Sequence, residues 1–243
     1  MVYLTIYHFY KKGLVMKVII FDIGGTLIAN NNFDFTRGIK YLYDEVIDTK
    51  ESYEEFMNYI NSFYEVFQKR IDSDIEINFY SYLNFITFSY PKKTPLTDEE
   101  IEKCFVSKIF DSIVFDGLTE FLDYLIDHNY ELYVLSNTMF STKEIKYELE
   151  RVGLLKYFKE VVASGDHLFR KPSKHLFNMY LKRLEKYNVE DIAYVGNEYK
   201  NDIVTPRDLG MKCFLKGNCN QDIDGYHEFD NYQSLLAWFK NNG

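Results

Sequence analysis

Polar and charged residues follow four of the short apolar runs in this sequence, at the points where buried strands are expected to end. Asp22 follows the run Val18–Phe21 and is succeeded by the glycine pair Gly24 and Gly25. The later groups supply hydroxyls, amides, one ammonium and carboxylates: Ser136, Asn137 and Thr138; then Lys171; then Asn197, Glu198, Asn201 and Asp202. Since ligands bind outside the carboxyl ends of the strands in open parallel sheets, these groups are expected to converge at one edge.

Each group also has a purely structural interpretation. A lone Asp22 after a strand is compatible with a helix cap, Ser136 with an N-cap, and Lys171 with a solvated surface position. The four groups nevertheless occur in order, each at the end of an apolar run. This combination favours one functional site over four unrelated structural roles.

Five short apolar runs are predicted to form the parallel sheet that positions these groups. They are Val18–Phe21, Leu132–Leu135, Val161–Ala163, Ile192–Val195 and Cys213–Leu215. Helical patterns separate the later four runs, and a closing helix is predicted over Tyr232–Phe239. The alternation predicts an α/β doubly wound domain.

The interval 32–111 has aromatic and aliphatic residues at helical spacing and no convincing strand. The capping-box patterns Ser52–Glu55 and Thr97–Glu100 indicate two helix starts. The interval is too long for a loop, so we predict a helical subdomain inserted after the first strand, with the aromatic stripe as its core. The predicted boundaries are an N-terminal extension over 1–15, a core over 16–31 and 112–243, and a helical cap over 32–111.

The order and types of the strand-end residues resemble those of the haloacid dehalogenase-like hydrolase superfamily, which is dominated by phosphatases. The segment FDIGGTL is similar to the first motif of that family, SNT to the second, RKP to the third and VGNEYKND to the fourth. The resemblance extends from about Lys17 to Leu215. It implies a Rossmann-like core with a helical cap, a nucleophilic Asp, Mg²⁺ and phosphoryl transfer.

The resemblance assigns roles to these residues. Asp22 is the expected nucleophile, which splits hydrolysis into formation and breakdown of an aspartyl-phosphate. Ser136 and Lys171 are expected to act with it by holding phosphate oxygens and neutralising charge. The expected substrate-binding residues are Gly24, Gly25, Ser136, Asn137 and Lys171. The expected metal ligands are Asp22, Gly24, Asn197 and Asp202.

The first departure from the family pattern is Gly24, which occupies the position of a second Asp that protonates the leaving group and activates water. General acid–base catalysis contributes about 10²–10⁴-fold, so turnover is expected to be slow unless another residue substitutes. Glu198, Asp166, His167 and residues of the cap are all candidates, and the sequence does not choose among them.

The second departure is Asn197, which occupies the position of a metal-binding Asp. An amide oxygen can coordinate Mg²⁺ but brings no negative charge, so metal binding is expected to weaken. Glu198 is adjacent, and the sequence leaves open which of the two binds the metal. Asp22 and Asp202 supply the few carboxylates that Mg²⁺ requires.

Composition limits the class of partner. The 243 residues carry a net charge of -9 with scattered Lys and Arg, which disfavours nucleic acid as a partner. No apolar run is long enough for a membrane span, and residues 1–15 lack the pattern of a signal peptide. The three cysteines, Cys104, Cys213 and Cys219, are few, odd in number and without zinc-like spacing, which fits a reducing cytoplasm.

These observations favour a cytoplasmic, Mg²⁺-dependent phosphatase of a small phosphorylated metabolite. One alternative is a non-catalytic phosphate-binding protein on the same fold. Another is a dehalogenase-like hydrolase in which Asp22 attacks carbon, although Gly24 leaves no side chain where those enzymes usually place an aromatic. Lys171 is expected to bind the transferring group, so that its removal costs little stability. The sequence names neither the substrate nor the oligomeric state.

Overall fold

A computed structural model of the protein describes residues 16–218 and 224–242. Its centre is a six-stranded sheet in which all neighbouring strands run parallel, in the order β5-β4-β1-β6-β7-β8. The strands are β1 (Val18–Phe21), β4 (Glu131–Ser136), β5 (Phe158–Ala163), β6 (Ile192–Gly196), β7 (Lys212–Lys216) and β8 (His227–Phe229). The predicted α/β, Rossmann-like class is confirmed. The predicted N-terminal extension and Cys219 lie outside the described residues.

Both faces of the sheet are covered by helices, which explains why β1 is apolar at every position. Ile19 and Phe21 join a cluster with two helices near 118–127 and 232–242, whereas Val18 and Ile20 pack on the other face with a helix over 174–183. The core helices are α5 (Leu118–Asp127), α6 (Thr142–Arg151), α7 (Lys174–Arg183), α8 (Val204–Asp208) and α9 (Tyr232–Asn242). None of the helices in the described part of the chain is long and apolar enough to cross a membrane.

Four α-helices lie within the interval 32–111 that was predicted to form the cap. They are α1 (Phe35–Tyr41), α2 (Tyr53–Gln68), α3 (Phe79–Ser89) and α4 (Asp98–Ile109), and we call them the cap. The two predicted capping boxes are confirmed, at Ser52 with Glu55 and at Thr97 with Glu100. Most of the aromatic residues of α2 and α3 pack within the cap, and a few face a cavity described below.

The sequence analysis did not identify three short strands. β2 (Ile28–Asn30) and β3 (Ser112–Val114) form an antiparallel pair where the chain leaves and re-enters the core, and β8 extends the sheet. Each has only three residues, and none forms a continuous apolar run. Tertiary pairing determines such strands more than local propensity does.

Several hydrogen bonds join the cap to the core. Glu102 of α4 is buried and accepts hydrogen bonds from Ser141 N (2.7 Å) and Ser141 Oγ (2.8 Å), just before α6. On the other side, the cap segment 74–76 pairs with the core segment 168–170: Arg170 N donates to Asp74 O and Glu76 N donates to Leu168 O, each at 2.9 Å. We call this pairing the cap–core ladder.

Glu144 lies at the first of these junctions, and burial raises the pKa of its carboxyl to about 7, with further contributions from Glu102 and Glu148. Because this value lies above that of an unfolded glutamate, ionisation of Glu144 opposes folding, and its cost grows as the pH rises from about 4.5 to 7. We expect Glu144→Gln to stabilise the protein by about 2 kcal/mol at pH 8 and by much less at pH 4.5. Urea denaturation at the two pH values measures the difference.

The exposed Glu150 on the same helix provides the matched control. Glu150→Gln should change the free energy of unfolding by less than about 0.5 kcal/mol at either pH. Equal effects of Glu144→Gln at pH 4.5 and pH 8 would contradict the prediction.

Candidate active site

Asp22 lies at the carboxyl end of the central strand β1 and is only 7% exposed. Its backbone N–H donates to Val195 O of β6 at 2.9 Å. The chain then turns back sharply, because Leu27 N donates to Ile23 O at 2.8 Å. This turn places Thr26 Oγ1 3.2 Å from Asp22 Oδ2, so the carboxylate is oriented by a hydroxyl from its own loop.

The glycine pair in this turn has two different roles. Gly25 has a φ of +75°, and a Cβ there would lie 2.4 Å from Asn197 Nδ2, so a glycine is required for conformation and for space. Gly24 is outside the left-handed region, and a Cβ there would meet no atom within 4 Å. A side chain at position 24 is therefore compatible with the backbone.

Lys171 provides the central charge of the site and is 2% exposed. Its Nζ lies 2.7 Å from Asp22 Oδ1, 2.6 Å from Asp202 Oδ1 and 2.9 Å from Tyr194 Oη. Tyr194 Oη in turn donates to Leu135 O at 3.0 Å, which fixes the ring and leaves the oxygen to accept from the ammonium. All three donor positions of the ammonium are thus occupied.

Asp202 is held by the loop that follows β6. Its Oδ2 accepts hydrogen bonds from the backbone N–H groups of Asn197 (3.1 Å) and Glu198 (2.9 Å). A Cβ at Gly196 would lie 2.3 Å from Asp202 Cβ, so the glycine that ends β6 makes room for this carboxylate. The result is a carboxylate fixed at both oxygens and placed opposite Asp22.

The charges of the site depend on one another. Burial raises the pKa of the Asp22 carboxyl; the Lys171 ammonium opposes that rise, and the Asp202 carboxylate adds to it. For Lys171, burial lowers the pKa, but Asp202 and Asp22 outweigh burial and hold the pKa well above its usual value. Lys171 is therefore a permanent cation at neutral pH that keeps two buried carboxylates together.

Asn137 has a positioning role that the sequence did not suggest. Its Oδ1 accepts from Lys171 N at 2.7 Å, and its Nδ2 donates to Lys171 O at 2.9 Å, so the amide brackets the backbone of the lysine. Ser136, the last residue of β4, is 5% exposed, and its Oγ makes no hydrogen bond to another described residue. Its hydroxyl is available to a ligand.

The structure brings most of the predicted site residues around one cavity of about 130 Å³. The residues that line this catalytic cavity are Asp22, Gly24, Ser136, Asn137, Lys171, Glu198, Asn201 and Asp202. Gly25 and Asn197 are not among the lining residues; they lie against each other and against Thr26, whose Oγ1 is 3.2 Å from Asn197 Oδ1. Asp166 instead accepts from Thr142 N at the start of α6, and neither it nor His167 lines the cavity. Among the candidate acids, Glu198 alone reaches it.

The groups around the catalytic cavity that could bind a metal ion do so through oxygen atoms. No cluster of three or more His, Cys, Asp or Glu close enough for a metal occurs within residues 16–218 and 224–242. Mg²⁺ does not require one, because it is held by one or two carboxylates and keeps several waters. Asp22, Asp202 and the amide oxygen of Asn197 fit this requirement, although both oxygens of Asp202 already accept hydrogen bonds.

Sequence reasoning gave no role to three residues that the structure brings to the site. Thr26 and Tyr194 orient Asp22 and Lys171, and Arg170 lines an adjoining cavity. Tyr194 gave one signal, a phenol within the otherwise apolar run of β6. Arg170 gave none, because an arginine beside a lysine usually belongs to a solvated surface.

We expect Lys171→Met to destabilise the protein by about 3 kcal/mol at pH 8, because two buried carboxylates lose their counter-ion. In the variant the Asp22 carboxyl loses the ammonium that opposes the effect of burial, so the pKa of Asp22 rises further above the unfolded value. The loss therefore grows as the pH rises from about 4 toward 8, and is smaller at pH 5. The earlier expectation that removing this lysine costs little stability overlooked its burial.

Urea denaturation of Lys171→Met at pH 5 and pH 8 measures this effect. The control is Lys182→Met, since Lys182 is 78% exposed and pairs with the exposed Glu185. A loss at Lys171 no larger than at Lys182 would mean that the ion pairs contribute nothing to the fold.

The chain thus combines a parallel sheet, a buried carboxylate after its central strand, helices inserted after that strand and a lysine between two acids. The chain belongs to the haloacid dehalogenase-like hydrolase family, whose sequence model matches residues 16–210. The resemblance inferred from the four motifs is thereby confirmed.

The chain aligns with two curated relatives and spans slightly less than half the length of each. The glyceraldehyde 3-phosphate phosphatase of Methanothermobacter thermautotrophicus is 33% identical over 101 residues, which cover 42% of this chain and 43% of that protein. YfnB of Bacillus subtilis, a HAD-hydrolase by name, is 28% identical over 109 residues, which cover 44% of this chain and 45% of that protein.

Solved structures extend the likeness in fold over nearly the whole chain. A HAD phosphatase from Thermococcus onnurineus aligns with a TM-score of 0.59 at 21% identity, covering 92% of this chain and 98% of that one. A magnesium-bound structure of YfnB from Bacillus subtilis aligns with a TM-score of 0.56 at 16% identity, covering 93% and 99%. At these identities the likeness concerns the fold alone.

Proposed function

We propose that this protein is a Mg²⁺-dependent phosphatase that hydrolyses the monoester of a small phosphorylated metabolite. The observation that carries the proposal is the buried Lys171 ammonium, 2.7 Å from Asp22 and beside the free hydroxyl of Ser136 in one small cavity. A nucleophile, a cation and a hydroxyl donor are the groups that phosphoryl transfer requires. The phosphatase names of two similar proteins support the same class.

In the proposed reaction an Asp22 oxygen attacks phosphorus, and the ester oxygen departs with the bonding electron pair. This step forms an aspartyl-phosphate and an alcohol, and the alcohol takes its proton from a donor or from water. Water then attacks the aspartyl-phosphate, which releases inorganic phosphate and restores the carboxylate. Thr26 orients the attacking carboxylate by its hydrogen bond to Oδ2.

Lys171 and Ser136 act on the charge of the transferring group. The ammonium neutralises phosphate oxygens from a fixed position, because Tyr194 and Asp202 hold it in place. The hydroxyl of Ser136 donates to a further oxygen. Bound Mg²⁺ supplies additional charge neutralisation at the phosphate, and Asp22, Asp202, Asn197 and the backbone of Gly24 would hold it.

A screen for release of inorganic phosphate from many small phosphomonoesters, with and without Mg²⁺, tests the proposal. Phosphate release that requires Mg²⁺ supports it. Halide release from haloacids without Mg²⁺ would favour the dehalogenase alternative. Stabilisation of the fold by phosphate without turnover of any ester would favour the non-catalytic alternative.

A further inference from the structure

A second, larger cavity adjoins the catalytic cavity at the boundary between the cap and the core. Its volume is about 420 Å³, and it shares Asn137, Glu198 and Asn201 with the catalytic cavity. A molecule whose phosphate lies beside Lys171 therefore has room to extend into this space. We call it the cap cavity.

Arg170 lines the cap cavity and is only 8% exposed. Its Nε and Nη1 atoms are buried without a hydrogen-bond partner. No described residue accepts a hydrogen bond from its guanidinium, even though nearly all buried polar groups in proteins are paired. An unsatisfied buried cation is costly, so it calls for a ligand of opposite charge.

The carboxylate of Glu76 lies near the guanidinium of Arg170 but does not accept a hydrogen bond from it. Glu76 Oε2 lies 3.9 Å from Arg170 Nε, beyond hydrogen-bond distance. The same oxygen accepts from Ser164 Oγ at 2.7 Å, and Oε1 accepts from Ile77 N at 3.2 Å. Glu76 therefore balances charge near Arg170 without satisfying its donors.

The cap–core ladder fixes the backbone from which this guanidinium extends, since Arg170 N donates to Asp74 O at 2.9 Å. Lys171, the next residue, faces the catalytic cavity, whereas Arg170 faces the cap cavity. Two consecutive residues thus place one cation beside each of two adjoining cavities. The remaining wall of the cap cavity is largely aromatic, from Phe33, Phe35, Phe110 and Phe140.

We infer that the substrate carries a second anionic group, a carboxylate or a phosphate, which Arg170 binds in the cap cavity while the reacting phosphate lies beside Lys171. This inference rests on the proposed function for the reacting end. A guanidinium forms paired hydrogen bonds with either anion, so Arg170 is a specificity-determining residue. The aromatic wall accommodates the carbon skeleton between the two anions.

Binding of non-hydrolysable phosphonates in the presence of Mg²⁺ tests the inference without requiring turnover. The ligands form matched pairs that differ in the second anion: phosphonopropionate against propylphosphonate, para-carboxyphenylphosphonate against para-tolylphosphonate, and propane bisphosphonate against propylphosphonate. Calorimetry should show that at least one dianionic member binds about 10- to 100-fold more tightly than its partner. The pairs also distinguish a carboxylate from a second phosphate.

The variant Arg170→Met should abolish this preference while changing the affinity for the singly anionic partners by less than about twofold. Arg183→Met is the matched control, because it removes a 58% exposed side chain that pairs with Glu160. It should leave the preference intact. Absence of any preference in the unmodified protein, no binding of any phosphonate, or an equal loss for both members of a pair would overturn the inference.

Glu76→Gln provides an independent test if Arg170→Met does not fold. The amide oxygen can still accept from Ser164, but the opposing charge is lost, so the dianionic ligands should bind about threefold more tightly. Unchanged affinity in this variant overturns the inference. Selective binding of the dianionic ligands without hydrolysis of any phosphomonoester would refute the proposed function but not the role of Arg170. Hydrolysis without such selectivity would refute the role of Arg170 but not the proposed function.

Discussion

Asp22→Asn is expected to lower the release of inorganic phosphate by at least about a thousandfold. The amide keeps the size and shape of the carboxylate but loses the negative charge that attacks phosphorus. Losses of catalytic nucleophiles typically cost several orders of magnitude. Steady-state phosphate release from the best ester of the screen measures the effect, and circular dichroism confirms the fold of the variant.

The matched control for this variant is Asp44→Asn. Asp44 is exposed and pairs with Lys40 on the cap, so its loss should leave turnover within about twofold. If Asp22→Asn retains more than about a tenth of the original turnover while Asp44→Asn behaves as expected, then Asp22 is not the nucleophile.

Gly24→Asp is expected to raise the turnover of alkyl phosphates by up to about a hundredfold. The new carboxyl would stand in the catalytic cavity, where it can protonate a poor leaving group and activate water. The backbone permits the change, because Gly24 is outside the left-handed region and its Cβ would meet no atom within 4 Å. Aryl phosphates should gain less, since their leaving groups depart without a proton.

Gly24→Asn and Gly24→Ala separate the acid from the mere presence of a side chain. Neither should raise turnover, because neither can donate a proton as a carboxylic acid does. Unchanged alkyl-phosphate turnover in a folded Gly24→Asp would show that another residue already supplies the proton. Glu198 is then the first residue to replace, since Asp166 caps α6 and does not line the cavity.

The sequence predicted the position of each main site residue because the chemistry lies where apolar runs end. Asp22, Ser136, Lys171 and Asp202 follow strands of a parallel sheet, and the topology alone brings them to one edge. The contacts among them were not predictable, because Tyr194 and Lys171 meet only after β6 and the loop beyond β5 have packed. Contacts between residues that are distant in sequence produce no local sequence pattern from which the contacts could be predicted.

The roles of Asn137 and Arg170 illustrate the same limit. Asn137 was predicted to bind substrate from its position after Ser136, whereas the folded chain uses its amide to bracket the backbone of Lys171. Arg170 has no distinguishing signal in the sequence, and in the folded chain it is a buried cation that lines a cavity together with residues of the cap. Residue type predicts which chemistry is available, and packing decides where it is used.

The cap–core ladder has a thermodynamic consequence. It hydrogen-bonds the cap to Leu168 and Arg170, immediately before Lys171. Lifting the cap away from the core would break these bonds and release the segment that carries the lysine. The free energy that holds the cap against the core would therefore be shared with the free energy that orders the Lys171 cation. In such an arrangement, separation of the cap and loss of the charge network would be a single cooperative event.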